Sequence, residues 1–154
     1  MKKEKPMTKE LIVESTITID AHVSKVWDVL LNPEKAKQYM FGCTLVSDWK
    51  VGSPVLWEII HEGKMIVAVK GTLIKIIPEK HLEYTVFDPN MGIADIAENY
   101  LTVTYVLSSE NGKTVLSVSQ GDYSRVEDSE NRYNDTVNAW PTVLAKIKEL
   151  VEAQ

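Results

Sequence analysis

Along this chain the spacing of apolar residues changes several times, and each change marks an element. Leu11, Val13, Ile17 and Ile19 fall on odd positions. That two-residue period predicts a half-buried strand. Val23, Val26, Trp27 and Leu30 then follow the i, i+3, i+4, i+7 stripe of an amphipathic helix. Asn32-Pro33 ends it and opens a second short helix, with Asn32 as N-cap and Pro33 at the first helical position. That helix is expected to end between Tyr39 and Gly42.

A run of strands follows. Thr44–Val46 is short, and Trp49 to Pro54 carries Gly and Pro punctuation that predicts a turn. Val55–Ile60 is a strand with Trp57 and Ile59 on one face. Glu62-Gly63-Lys64 is a hairpin signal, and Met65–Ile77 is a long strand with Gly71 at an expected bulge or bend. After Pro78, the segment His81–Phe87 alternates through Leu82, Tyr84 and Val86. Residues 88–98 mix Pro, Asn and Gly with Met91, Ile93 and Ile96, and predict the longest loop. Leu101, Val103, Tyr105 and Leu107 share one face of the next strand. Asn111-Gly112 predicts a tight hairpin because both residues tolerate positive φ. Thr114–Gln120 returns with Leu116 and Val118 inward.

The last element has the clearest period. Tyr133, Val137, Trp140, Leu144, Ile147 and Val151 step by four and three, and form one stripe flanked by Val143 and Leu150. Pro141 lies inside it and lacks the N–H that would bond the carbonyl four residues back. A kink near residues 137–141, or a restart of the helix there, is the expectation.

One strand, two short helices, five or six further strands and a long helix make an α+β domain spanning residues 10–154, with residues 1–9 read as a flexible tail. Hairpin-length connections imply an antiparallel sheet of six to seven strands. Two short helices cannot cover such a sheet, so the long helix is expected to lie across it and leave an apolar cavity beneath.

Charge and composition narrow the function classes. The 154 residues carry 17 Lys plus Arg against 22 Asp plus Glu, a formal charge of −5. That balance disfavours nucleic acid as a partner. One cysteine, Cys43, fits a reducing cytoplasm. No apolar run approaches the roughly 20 residues of a membrane span, and the Lys-rich start has no apolar segment behind it that would make a secretory signal.

Five segments together resemble the activator of heat-shock-protein-90 ATPase homologue-like family. They are Ile19-Asp20-Ala21-His22-Val23 with Val26-Trp27-Asp28; Ser47 to Pro54 with Trp57; Gly71-Thr72-Leu73-Ile74 through Pro78, Leu82 and Tyr84-Thr85; Glu98-Asn99-Tyr100 with Val103-Thr104-Tyr105; and Trp140 to Leu144 with Leu150. They span roughly residues 10–152. The family belongs to the START and birch-pollen-allergen-like (SRPBCC) superfamily. The resemblance implies the helix-grip fold with an elongated cavity between sheet and long helix. It implies no particular reaction, because that scaffold hosts transfer proteins, receptors, cyclases and co-chaperone domains. His22, Ala97 and Ala139 stand where the family commonly has proline, proline and glycine.

The candidate chemistry is sparse. His22, His61 and His81 are scattered over turns and strand ends, without metal-ligand spacing. Cys43 has no basic neighbours to activate it and reads as a buried, inert thiol. No carboxylate pair, Ser-His arrangement or phosphate-binding Gly loop is visible. No catalytic residue, metal or cofactor is therefore expected. The aromatic set is more informative. Trp57, Tyr84, Tyr105 and Trp140 fall on inward faces, where they either pack the core or line a pocket. Gln120 shares parity with Leu116 and Val118 and is the best inward polar group, with a structural hydrogen bond as its first expected role. Taken as a ligand site, Trp57, Tyr84, Tyr105, Gln120, Trp140 and Leu144 would hold a small apolar or amphipathic molecule. Met40, Phe41, Met91 and Ile93 would guard its mouth. The expected function is non-catalytic binding. The resemblance offers a protein-partner module in chaperone regulation or stress response as the alternative, and a cyclase or hydrolase has the least support.

Overall fold

The computed structural model describes residues 10–154; the expectation for residues 1–9 lies outside the described residues. In chain order the elements are β1 (Val13–Ile19), α1 (Val23–Leu31), α2 (Pro33–Tyr39), β2 (Thr44–Val46), β3 (Pro54–His61), β4 (Lys64–Ile77), β5 (His81–Val86), β6 (Leu101–Glu110), β7 (Lys113–Gly121) and α3 (Ser129–Glu152). Single 3₁₀ turns occupy Ala97–Asn99 and Tyr123–Arg125. Among the described residues seven strands form one antiparallel sheet, ordered β1-β7-β6-β5-β4-β3-β2.

Local chemistry sets the hairpins and caps. At the β3–β4 turn Glu62 and Gly63 have φ of 51° and 80°, and at the β6–β7 turn Asn111 and Gly112 have 54° and 81°. Two successive residues at positive φ give the turn whose twist matches antiparallel strands. Asn32 caps α2 as expected, its Oδ1 accepting from the N–H of Glu34 at 2.9 Å and of Lys35 at 3.3 Å. The Nδ1 of His22 caps α1 by accepting from Ser24 N–H, so this histidine has a turn role.

The sheet bends in the middle of β4. Up to Thr72 that strand pairs with β3, and from Leu73 onward with β5. At the change stands Gly71, where a Cβ would overlap the carbonyl of Thr85. The next residue, Thr72, gives its N–H to the Thr85 hydroxyl instead of a backbone carbonyl. The irregular registers flank this point, between Trp57 and Glu58 and between Leu73 and Lys75. Gly71 is thus the site of close approach, and the bulges lie beside it. Such bulges increase twist and curl a sheet.

The curl creates a concave face. Leu101, Val103, Tyr105 and Leu107 of β6 and Leu116 and Val118 of β7 are buried on it, as are Trp140, Val143, Leu144, Ile147 and Val151 of α3. Val26, Val29 and Leu30 of α1 close one end. The predicted α3 stripe needs one correction. Val137 is 39% exposed and Tyr133 only half-buried, so the deeply packed part begins at Trp140. Nor does the helix restart at Pro141, for it runs unbroken from Ser129 to Glu152. The proline strips a bond from the Val137 carbonyl on the solvent side, where water can replace it, while the buried stripe beyond it holds the helix down. No helix among the described residues is long and apolar enough to cross a membrane.

Candidate functional site

The space between sheet and α3 is not filled by side chains. An apolar lobe of about 210 Å³ is walled by Trp57 (β3), Val69 (β4), Tyr84 and Val86 (β5), Val103 (β6), Gln120 (β7), Trp140 (α3), and Met40, Phe41 and Cys43 after α2. A second lobe of about 270 Å³ lies toward the start of α3. Its walls include Val69, Val86 and Gln120 again, with Phe87, Asp88, Met91, Leu101, Tyr123, Arg132, Asp135 and Thr136. The lobes therefore meet at Val69, Val86 and Gln120. One end is greasy and the other carries charge and hydroxyls.

Both tryptophans of the wall are held from behind. Trp57 meets Tyr39 edge to face, with ring centroids 6.4 Å apart, and the Tyr39 hydroxyl donates to the Leu30 carbonyl at 2.6 Å. Trp140 meets Tyr105 edge to face at 5.7 Å. The Trp140 indole N–H donates to Gln120 Oε1 at 2.8 Å, which joins α3 to β7 at the boundary of the two lobes. In the second lobe the Tyr123 hydroxyl donates to Thr136 Oγ1 at 2.6 Å, and Thr136 donates to the Arg132 carbonyl at 2.9 Å. The loop over this end is fastened outside: Asp95 accepts from Lys70 and from the Tyr100 hydroxyl, and the Tyr100 ring stacks on Phe87 at 4.8 Å.

Burial sets the protonation states. It pushes the phenols of Tyr39, Tyr84 and Tyr105 upward, so they stay neutral hydroxyls. Desolvation likewise raises the Cys43 thiol, which opposes thiolate formation. Cys43 is half-buried and on the cavity wall, more accessible than the buried position expected of it. The Tyr105 Oη is buried and has no hydrogen-bond partner among the described residues.

Of the residues expected to bind ligand, the structure brings Trp57, Tyr84, Gln120 and Trp140 together around the apolar lobe. Tyr105 and Leu144 are buried behind that wall and line neither lobe. They share the inward parity of the wall residues but sit deeper, where α3 already fills the space. Of the expected mouth residues, Met40 and Phe41 border the apolar lobe and Met91 borders the other, while Ile93 borders neither.

Residues that the sequence reading passed over also line the walls. Val86 and Val103 carried a signal, since each shares parity with a named aromatic, Tyr84 and Tyr105. Arg132, Thr136 and Trp140 step by four on α3 and so share a face. The histidines are elsewhere: His61 is exposed beside Glu62, and His81 Nε2 lies 2.9 Å from Glu83 on β5. Among the described residues no group of three or more His, Cys, Asp or Glu is placed to hold a metal ion.

Comparison with known proteins places the fold in context. The family model described as Activator of Hsp90 ATPase homolog 1-like protein matches residues 20–152. A protein from Cytophaga hutchinsonii, solved in solution, is 34% identical, with 96% of this chain and 97% of that one covered and a TM-score of 0.78. A Chromobacterium violaceum protein is 20% identical over 92% of this chain and 96% of that one, with a TM-score of 0.71. The Aha1 dimer from Colwellia psychrerythraea is 15% identical over 92% and 96%, with a TM-score of 0.68. A search of curated proteins found no match. With its seven-stranded curved sheet closed around a long C-terminal helix, and with a family match across most of its length, the chain belongs to the Activator of Hsp90 ATPase homolog 1-like family.

Proposed function

We propose that this protein binds a small apolar or amphipathic molecule, without chemical change, in the cavity between sheet and α3. The observation that carries this reading is the apolar lobe itself. About 210 Å³ of space stays open beside Tyr84 and two tryptophans that are each anchored by their own contacts. Close-packed interiors seldom leave such room, and an apolar pocket with a few polar handles is the usual form of a lipophilic site. Trp57, Tyr84 and Trp140 are the proposed contact surfaces, Gln120 a polar handle, and Met40 and Phe41 the mouth. A binding role fits the cavity's titratable groups. Cys43 and Tyr84 are driven toward their neutral forms, and no histidine lines either lobe. A cytoplasmic setting suits the lone half-buried thiol.

Native mass spectrometry of gently purified protein tests the reading. A discrete added mass that is released on denaturation is the expected result. An unliganded mass, with no binding from a library of apolar molecules, would remove it.

A second reading has an observation of its own. Ile60 and Met65 lie opposite each other at the end of the β3–β4 hairpin and are 66% and 58% exposed. Exposed apolar surface is a common basis of protein contacts when it forms part of a contiguous patch. Membership of this family makes a chaperone the first partner to try. Pull-down from native lysate with Ile60→Lys as control tests it, and equal recovery by both proteins counts against it.

A further inference from the structure

Arg132 is 8% exposed, and its Nη1 is fully buried with no hydrogen-bond partner among the described residues. A guanidinium is charged at any physiological pH, so burying it without a counter-ion is unfavourable. Helix electrostatics do not explain the placement. Arg132 lies near the N-terminal end of α3, where the positive end of the helix dipole disfavours a cation. Arg132 is one of the residues around the second lobe of the cavity.

A second donor faces the same space. Gln120 Oε1 must be the atom that accepts from Trp140, because the indole nitrogen can only donate. That fixes the amide and leaves its NH₂ group, for which no partner is present among the described residues, on the wall shared by both lobes. The neighbouring hydroxyls offer nothing further: Tyr123 donates to Thr136, and Thr136 donates to the Arg132 carbonyl. The lobe therefore has donors to spare. Two carboxylates, Asp88 and Asp135, border it as well. Asp135 is exposed, and half-buried Asp88 already accepts from Asn90 N–H at 2.8 Å.

We infer that the second lobe is a headgroup site for a single carboxylate, with Arg132 as its counter-ion and the Gln120 amide as a further donor, so that the bound molecule is an apolar monocarboxylic acid. Its body extends past Val69 and Val86 into the Trp57–Trp140 lobe. A carboxylate matches the flat guanidinium fork. One buried cation is matched in charge by a monoanion, whereas a phosphate dianion would bring a second negative charge to a wall that already carries Asp88 and Asp135. This inference rests on the cavity-binding reading and names the chemistry of its ligand.

The test uses isosteric pairs on the intact chain: 2-naphthoate against 2-naphthamide, and 4-phenylbutyrate against its amide, titrated by calorimetry at neutral pH. The wild-type protein is expected to prefer each acid by at least about tenfold, the worth of one charge-assisted bidentate contact. R132Q is expected to lose the preference and bind acid and amide alike. R132K, which keeps the charge but loses the fork, is expected to retain part of the preference. Equal binding of acid and amide by the wild type overturns the carboxylate site while leaving cavity binding intact. So does an undiminished acid preference in R132Q. Binding of neither member of any pair overturns both. Should R132Q fail to fold, the wild-type ratio and R132K decide.

Discussion

The indole N–H of Trp140 and the amide oxygen of Gln120 are hydrogen-bonded at 2.8 Å, which ties the long helix to the last strand at the waist of the cavity. The bond satisfies a buried donor and sets the edge-to-face contact of Trp140 on Tyr105. It also leaves the Gln120 NH₂ group uncommitted, on a residue that borders both lobes. A structural bond and a binding handle are here two ends of one side chain.

Replacing Gln120 by Met keeps its length and removes the acceptor. Trp140, only 5% exposed, is then left with an unpaired N–H. Urea denaturation is expected to show a loss of about 1–3 kcal/mol. A loss below a few tenths would mean that water reaches the indole from the cavity and replaces the bond.

Filling the waist separates binding from stability. Val69 borders both lobes and is half-buried. Val69→Phe is expected to block binding of apolar probes while changing stability by less than about 1 kcal/mol, because new contacts offset local crowding. Thermal melting and native mass spectrometry on the same sample measure the two effects. Unchanged binding with unchanged stability would show that ligands enter elsewhere.

Gly71 is expected to be intolerant. An added methyl overlaps the Thr85 carbonyl, and neither backbone can move without opening the bend in β4. Gly71→Ala should cost about 3 kcal/mol or more, read from the midpoint of chemical unfolding. Gly112→Ala makes a useful control. It sits at φ 81° with nothing near its Cβ, so its cost is conformational alone.

Acid should weaken the join between β1 and β7. Burial raises the Asp122 carboxyl, but hydrogen bonds from Leu11 N–H, Ser124 N–H and the Ser124 hydroxyl outweigh it and hold the group below its ordinary value. A carboxyl lowered on folding stabilises fully above its unfolded pKa of about 3.9, and that contribution fades as pH falls through the lower folded value. Wild-type protein is therefore expected to exceed Asp122→Asn in stability by up to about 1 kcal/mol at pH 7, with the gap shrinking below about pH 4. Denaturation of both proteins at pH 7 and pH 3 reads the gap. A gap that widens in acid would contradict the sign.

Much of the fold was legible along the chain. Leu101, Val103, Tyr105 and Leu107 alternate, and all four are buried on one face of β6. Asn32 and Asn111-Gly112 encode a cap and a turn through their own backbone preferences. These features depend on neighbours within a few residues, and so does the period of a strand or helix. At Pro141 the helix does not restart, one of the two outcomes its sequence allowed. The missing hydrogen bond is a local fact, but whether the helix breaks depends on what packs beyond it.

The site was legible only in part, for the same reason. Parity assigned Trp57, Tyr84, Gln120 and Trp140 to the inner face, and they do surround the cavity. Parity could not separate them from Tyr105 and Leu144, which point the same way but are covered. Inward direction is a property of one strand or helix, whereas being uncovered depends on the distance to the opposite layer. Arg132 shows the difference most clearly. Its place in the sequence, among polar residues at the start of a helix, carries no sign of burial. The curl of β4 at Gly71 and the packing of α3 across the sheet turn that position inward beside Tyr123 and Thr136. By itself, then, the sequence determined the elements, their inward faces and the family they resemble. The tertiary structure decided where the two layers fail to meet, because a gap belongs to neither layer and depends on the curvature of one relative to the other.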